Sequence, residues 1–166
     1  MTEALAPRIV PPLDPGFRSM SLARAGLRDA IHSGGVGIRV ALAVEQPTGS
    51  AWHREAWVHP PGHPDEAASY RAVERLCKFL LWSRGGSRLY VDGPASLVSF
   101  LTRHYAAEPT GIFDAAFMGP KLFGVPFEVV GVPEAEFPPG REAAAALGRH
   151  LEGCRIGFDL GASDRK

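Results

Sequence analysis

Along residues 20–132 the spacing of apolar residues switches repeatedly between the helical period and the strand period, and glycine or proline stands at nearly every switch. A chain patterned this way has to stack short helices on short strands. Met20, Ala23, Leu27, Ala30 and Ile31 recur near helical spacing behind Ser19, a candidate N-cap, until Gly34 and Gly35 break the pattern. From Gly37 to Glu45 the period becomes two. Ile38, Val40, Leu42 and Val44 alternate there with Arg39, Ala41 and Ala43, which predicts a strand with one buried face. Pro47-Thr48-Gly49-Ser50 supplies turn chemistry, so Ala51 to His59 reads as the second arm of a β-hairpin.

Asp65 is a candidate N-cap for the clearest helix. Tyr70, Val73, Leu76, Cys77 and Leu80 form its apolar stripe, Arg71, Glu74, Arg75 and Lys78 its other side, and Gly85-Gly86 its stop. Arg88 to Val91 is a short strand and Asp92-Gly93-Pro94 a turn. Ala95 to Tyr105 follows as a helix with Pro94 at its first position and Leu97, Val98, Leu101 and Tyr105 facing inward. Gly111 to Val125 yields no assignable period. Phe127 to Val132 reads as a strand, Pro133 to Gly140 as a Pro-rich loop, Arg141 to about Leu151 as an Ala-rich helix and Arg155 to Asp159 as a final strand. The expected fold class is α/β: a mixed sheet with a β-hairpin and βαβ crossovers, and helices packed on it. Residues 1–18 read as a flexible Pro-rich arm, 19–153 as one α/β domain, and 154–166 as the start of another.

Composition narrows the function classes. The 166 residues include 19 glycines and 15 prolines without any period, which excludes collagen, and 45% apolar residues suffice for one core. Lys + Arg and Asp + Glu number 18 each, so the chain lacks the basic footprint expected of a nucleic-acid or anionic-membrane binder. Cys77 and Cys154 show neither a disulfide framework nor zinc-ribbon spacing, and the first 18 residues lack a signal peptide's apolar core. No window is apolar enough for a transmembrane helix. A cytoplasmic location is the expectation.

Several segments invite a functional reading. Ser33-Gly34-Gly35-Val36-Gly37 has the composition of a phosphate loop, but its glycines follow a helix and precede a strand. Anion binding needs the reverse order, so the segment reads as a helix C-cap. Tyr90-Val91-Asp92-Gly93-Pro94-Ala95-Ser96 has the right order, with Gly93 permitting close approach and Ser96 offering a hydroxyl; the plainer reading is a βα turn capped by Asp92. His53, His59 and His63, with Asp65 and Glu66, form the one dense group of metal-ligating residue types, but intervening prolines make it a surface loop. His104 and His150 stand near helix C-termini, where histidine commonly meets terminal carbonyls. Trp52, Trp57, Trp82, Tyr70 and Phe79 lack interleaved basic residues and read as core. No GxSxG, HExxH or Walker pattern occurs.

The last segment, Cys154 to Lys166, reads as an apolar strand running into Asp-x-Gly-x-Ser. Asp159 would stand at the strand end, where a carboxylate suits a hydrated Mg2+ ion. Gly161 would let backbone amides approach a phosphate, Ser163 adds a hydroxyl, and Arg165 or Lys166 adds positive charge. Arg155 to Lys166 resembles the first phosphate motif of the superfamily of acetate and sugar kinases, actin and heat-shock ATPases. It is most similar to the start of ROK-family proteins (repressor, open reading frame, kinase). Arg24 to Ile31, Lys78 to Gly86 and Leu147 to Cys154 are similar to an N-terminal extension of some ROK-like proteins.

The resemblance implies that Asp159, Gly161 and Ser163 meet the phosphates and magnesium of Mg-ATP, with Asp159 toward the metal, and that Lys166 matches a frequent basic residue. It also implies a parent that is an ATP-dependent sugar kinase, with a small-molecule sugar and a nucleotide as partners. The family's catalytic aspartate, adenosine motif and His/Cys zinc motif lie farther downstream. The chain is therefore expected to be a fragment ending within the first phosphate motif, inactive and without a cofactor on its own. The alternatives are a non-enzymatic α/β module that binds a ligand or partner, and a parent that hydrolyses ATP for activation or regulation.

Overall fold

The computed structural model describes residues 9–14, 17 and 19–143. Its elements are α1 (Met20–Gly34), β1 (Ile38–Glu45), β2 (Ala51–Val58), α2 (Glu66–Arg84), β3 (Arg88–Asp92), α3 (Ala95–Ala107), α4 (Pro109–Ala116) and β4 (Glu128–Gly131). The fold is α/β, with a four-stranded mixed sheet in the order β2-β1-β3-β4. β1 runs antiparallel to both β2 and β3, with Ile38 opposite Val58 and Ala41 opposite Asp92. β4 lies parallel to β3, with Val129 beside Leu89, and α3 and α4 make the crossover between them. The remaining parts of the arm, residues 144–153 and the strand expected over 155–159 lie outside the described residues.

The alternation in β1 explains the principal core. Val40, Leu42 and Val44 point to one side, where they meet Tyr70, Val73, Leu76, Cys77, Leu80 and Leu81 of α2 and Leu97 and Leu101 of α3. Burying a side chain of this size is worth about 1.5–3 kcal/mol, so this face holds the layers together. The other face of β1 departs from the expectation of a single buried side. Ala41 and Ala43 are buried too, beneath Phe137, with Tyr90 and Val132 packed alongside. Their methyl groups let the Pro-rich segment lie close to the sheet.

Arg39 fastens that segment. Its guanidinium donates to Glu134 at 2.7 Å and to Glu55 at 2.6 Å, joining β1, β2 and the 3₁₀ turn Glu134–Glu136. Hydrogen bonding to Arg39 holds both carboxyls below the usual glutamate range. A carboxyl with a depressed folded pKa stabilises the fold above its unfolded pKa and loses that contribution as pH falls through the folded value. Stability in urea is therefore expected to decline below about pH 4.3, and Arg39→Met to flatten the decline. Equal slopes for the two proteins would contradict this role.

Other departures have local causes. Ser19 and Asp65 stand at N-cap positions without a side-chain cap hydrogen bond, and Ser19 Oγ instead pairs with Ser21 Oγ at 2.8 Å. Pro94 occupies the N-cap of α3 rather than its first helical position. The stretch without a sequence period holds α4 and a π-helical turn over Phe117–Lys121. Pro120 has no N–H to continue an α-helical ladder, and Leu122 N–H closes the wider turn on Phe117 O at 2.9 Å. Arg141 begins no helix; it pairs with Ala51 as an isolated antiparallel bridge beyond the hairpin. Among the described residues, no helix is long and apolar enough to cross a membrane.

Candidate functional site

The residues expected to meet nucleotide, Asp159, Gly161, Ser163 and Lys166, lie outside the described residues, as do His150, Cys154 and Arg165. The two other anion-site candidates fall among the described residues. Gly35 adopts the left-handed conformation (φ 65°) and its N–H closes on His32 O and Ile31 O, so the Gly34-Gly35 segment is a helix C-cap. At the turn from β3 to α3, Asp92 does not cap the helix. Its carboxylate accepts the Glu134 N–H at 2.9 Å, and Ser96 Oγ pairs with Tyr70 OH at 2.7 Å. Both polar side chains thus join pieces of the fold.

The connection from β2 to α2 is where metal-ligating groups converge. Pro60, Pro61 and Pro64 prevent a helix there, and Gly62 adopts a positive φ of 83°, so the chain folds back over its own start. His59 leaves β2 directly after buried Val58 and enters the space beside α2, where its N–H meets Ser69 Oγ at 3.3 Å. It is 3% exposed, which corrects the surface-loop reading: the segment is a loop, but its first histidine is inside. The His63 ring lies flat on that of His59, with centroids 4.0 Å apart and planes 5° from parallel. Asp65 N–H donates to His63 Nδ1 at 3.1 Å.

Burial, and then the neighbouring His63, hold His59 below the usual histidine pKa. A neutral imidazole is the form that ligates a metal. His59, His63 and Asp65 each offer one ligand atom, and these atoms all lie within 4.8 Å of one another. The other two residues of the sequence group go elsewhere. His53 pairs with Pro138 O at 2.7 Å, and Glu66 accepts the Gly62 N–H at 2.8 Å.

The structure also assembles polar groups that the sequence did not single out. Glu74, expected on the solvent side of α2, is 3% exposed and faces His104 Nε2 at 3.3 Å. A signal was present, because Tyr70, Glu74, Cys77 and Leu81 form one continuous i, i+4, i+7, i+11 row. His104 is correspondingly a buried group, not one turned to terminal carbonyls. Asp114 of α4 is fully buried and accepts from Lys78 Nζ and Trp82 Nε1. It lies in the stretch without a period, so no pattern pointed to it. Of the aromatic residues read as core, Tyr70 is buried but Trp57, Trp82 and Phe79 are 42%, 45% and 59% exposed. Cys77 is buried and free, and burial pushes its thiol pKa up, which keeps it protonated and unreactive.

Comparison of the chain with family models, with curated proteins and with solved structures finds no match. The class defined so far is a four-stranded mixed α/β domain with a histidine-rich loop between its edge strand and its longest helix.

Proposed function

We propose that residues 19–153 form the N-terminal extension of a cytosolic ROK-like, ATP-dependent sugar kinase, and that 154–166 open its nucleotide-binding domain. The observation that carries the reading is the run Arg155 to Lys166, with Asp159, Gly161 and Ser163 in Asp-x-Gly-x-Ser order behind a short, largely apolar run of sequence. The donor set suits Mg-ATP: a carboxylate is a hard oxygen ligand for magnesium, while a glycine amide and a hydroxyl can approach phosphate oxygens. Bound Mg-ATP would supply the γ-phosphoryl group for transfer to a sugar hydroxyl. Asp159 would orient the metal, and Gly161, Ser163 and Lys166 would hold phosphate charge. Residues 19–143 bury a core of their own, as an independent extension domain requires.

The test uses the product of the whole reading frame. It is expected to phosphorylate a hexose in a Mg-ATP-dependent reaction, and Asp159→Asn to lower kcat by about 100-fold or more, with an unchanged melting curve. The 166-residue chain alone is expected to transfer no phosphoryl group. A whole product that consumes no ATP with any of a panel of hexoses, or an Asp159→Asn variant as active as the wild type, would refute the kinase reading. ATP consumption without sugar phosphorylation would instead assign the hydrolytic parent.

A second reading, a partner-binding module without phosphotransfer, is favoured by one surface. Phe79, Trp82, Ile112 and Phe113 are all exposed, and Trp82 and Phe113 stack with centroids 6.2 Å apart. Contiguous exposed apolar surface, of which the Trp82–Phe113 stack is the observed part, marks interaction sites. Inactivity of the whole product in the assay above would leave this as the standing alternative.

A further inference from the structure

We propose that the loop between β2 and α2 is a zinc site in which His59, His63 and Asp65 are the protein ligands. The inference is independent of the kinase reading, since it rests on residues of the extension domain alone. Among the described residues, this is the one place where three side chains of metal-binding type bring a ligand atom each within 4.8 Å of one another.

His59 supplies the second, independent observation. Its side chain is almost wholly buried, yet neither Nδ1 nor Nε2 has a hydrogen-bond partner. A buried polar group is ordinarily paired, because leaving it unpaired forfeits the hydrogen bonds that water would have made. The other buried histidine among the described residues, His104, has the Glu74 carboxylate 3.3 Å from its Nε2. At His59 the ring instead meets the face of His63, and the Asp65 ligand atom lies within 4.8 Å of the His59 ligand nitrogen without a hydrogen bond to it. A cation between these residues would take up one of its idle nitrogens.

The donor set selects the metal. Two imidazoles and one carboxylate form a nitrogen-rich set that suits zinc, whereas magnesium and calcium prefer oxygen throughout. Three protein ligands leave a fourth tetrahedral position for water or another donor. The loop also needs only a limited adjustment. Parallel rings 4.0 Å apart hold their in-plane lone pairs side by side. Zn–N bonds of about 2.0–2.1 Å at a tetrahedral angle bring two nitrogens to about 3.3 Å, with lone pairs converging. His63 must therefore tilt. It is only half-buried and sits in the Pro-rich turn, and its Nδ1 accepts a hydrogen bond from the Asp65 amide at 3.1 Å. Ligation by that nitrogen exchanges the hydrogen bond for a metal bond while His59 stays packed.

The experiment is a Zn2+ titration of the metal-stripped 166-residue chain by calorimetry, beside His63→Gln and Asp65→Asn. Both substitutions fall on half-buried loop positions, and far-UV circular dichroism checks that the fold is kept. The expected result is one zinc equivalent assigned to this site, with affinity reduced at least about tenfold in each variant and unchanged in His32→Gln, which alters an exposed histidine elsewhere. Zinc is also expected to raise the melting temperature of the wild type and of His32→Gln but not of His63→Gln. Co2+ in place of zinc should give the visible absorption of a tetrahedral site, lost in His63→Gln. No binding by the wild type at about 100 µM Zn2+, or titrations of His63→Gln and Asp65→Asn that match the wild type, would overturn the proposal.

Discussion

Lys78→Met is expected to destabilise the domain by about 3–5 kcal/mol, because it strands a charge inside the protein. Asp114 has no solvent exposure, and its two carboxylate oxygens receive Lys78 Nζ at 2.9 and 2.7 Å and Trp82 Nε1 at 2.9 Å. Lys78 and Trp82 lie one helical turn apart on α2, so they grip the carboxylate from a single face and tie α4 to α2. Methionine keeps most of the aliphatic stem but removes the ammonium, leaving the carboxylate with the indole N–H alone. The partial exposure of Lys78, 32% of its side chain, lets water reach the ammonium and places the effect toward the lower end of that range. Urea unfolding should show a lower midpoint at an unchanged slope. Lys78→Met/Asp114→Leu should regain most of the loss, since removing both charges takes away the desolvation penalty as well as the attraction. A single-variant loss under about 1 kcal/mol, the scale of an exposed pair, would show that Asp114 is solvated in solution.

The contrast between Lys78 and the elements around it shows what local pattern conveys. The two helices flanking β3, the hairpin and the parallel return of β4 all follow from periods of 3.6 and 2 bounded by Gly and Pro, and each spans its own signal. The second buried face of β1 does not, because alanine says nothing of whether Phe137, more than ninety residues away, will cover it. Helix α4 was hidden for another reason. Gly111 lowers its intrinsic helix preference, Gly119, Pro120 and Gly124 break any period just beyond it, and tertiary contacts at Asp114 and Gly111 override that preference. Trp82 and Phe79 failed in the opposite direction: hydrophobicity suggested the core, but positions on the outer side of α2 left them at the surface. In the histidine loop, the residue types were visible as a cluster of ligands and the prolines did set a turn. The burial of His59 was not, because it depends on α2 folding back so that Ser69 meets the His59 amide.

Gly111→Ala should likewise be severe, and its sign runs against helix propensity. In the interior of an ordinary helix, alanine is favoured over glycine by about 1 kcal/mol. At Gly111 a Cβ would collide with the carbonyl oxygen of His104, and it would lie 2.7 Å from the carbonyl carbon and 2.8 Å from the imidazole Cδ2. The first two obstacles are backbone at the end of α3, so no change of rotamer relieves them. Glu108 is both the last cap of α3 and the first of α4, and Pro109 opens the second helix, which leaves the corner little freedom to widen. Relief has to come from moving α4, and that motion draws Asp114 away from Lys78 and Trp82. The expected net loss is about 2–3 kcal/mol, the upper part of the usual range for overpacking. Gly34→Ala serves as the control, because its Cβ would have nothing nearer than Val36 Cγ2 at 3.7 Å, and it should be neutral or slightly stabilising. If the two effects share the displacement of α4, Gly111→Ala and Lys78→Met will be less than additive when combined. Full additivity would mean that the corner and the buried carboxylate are independent, and a Gly111→Ala variant as stable as the wild type would show that α4 does not approach α3 this closely.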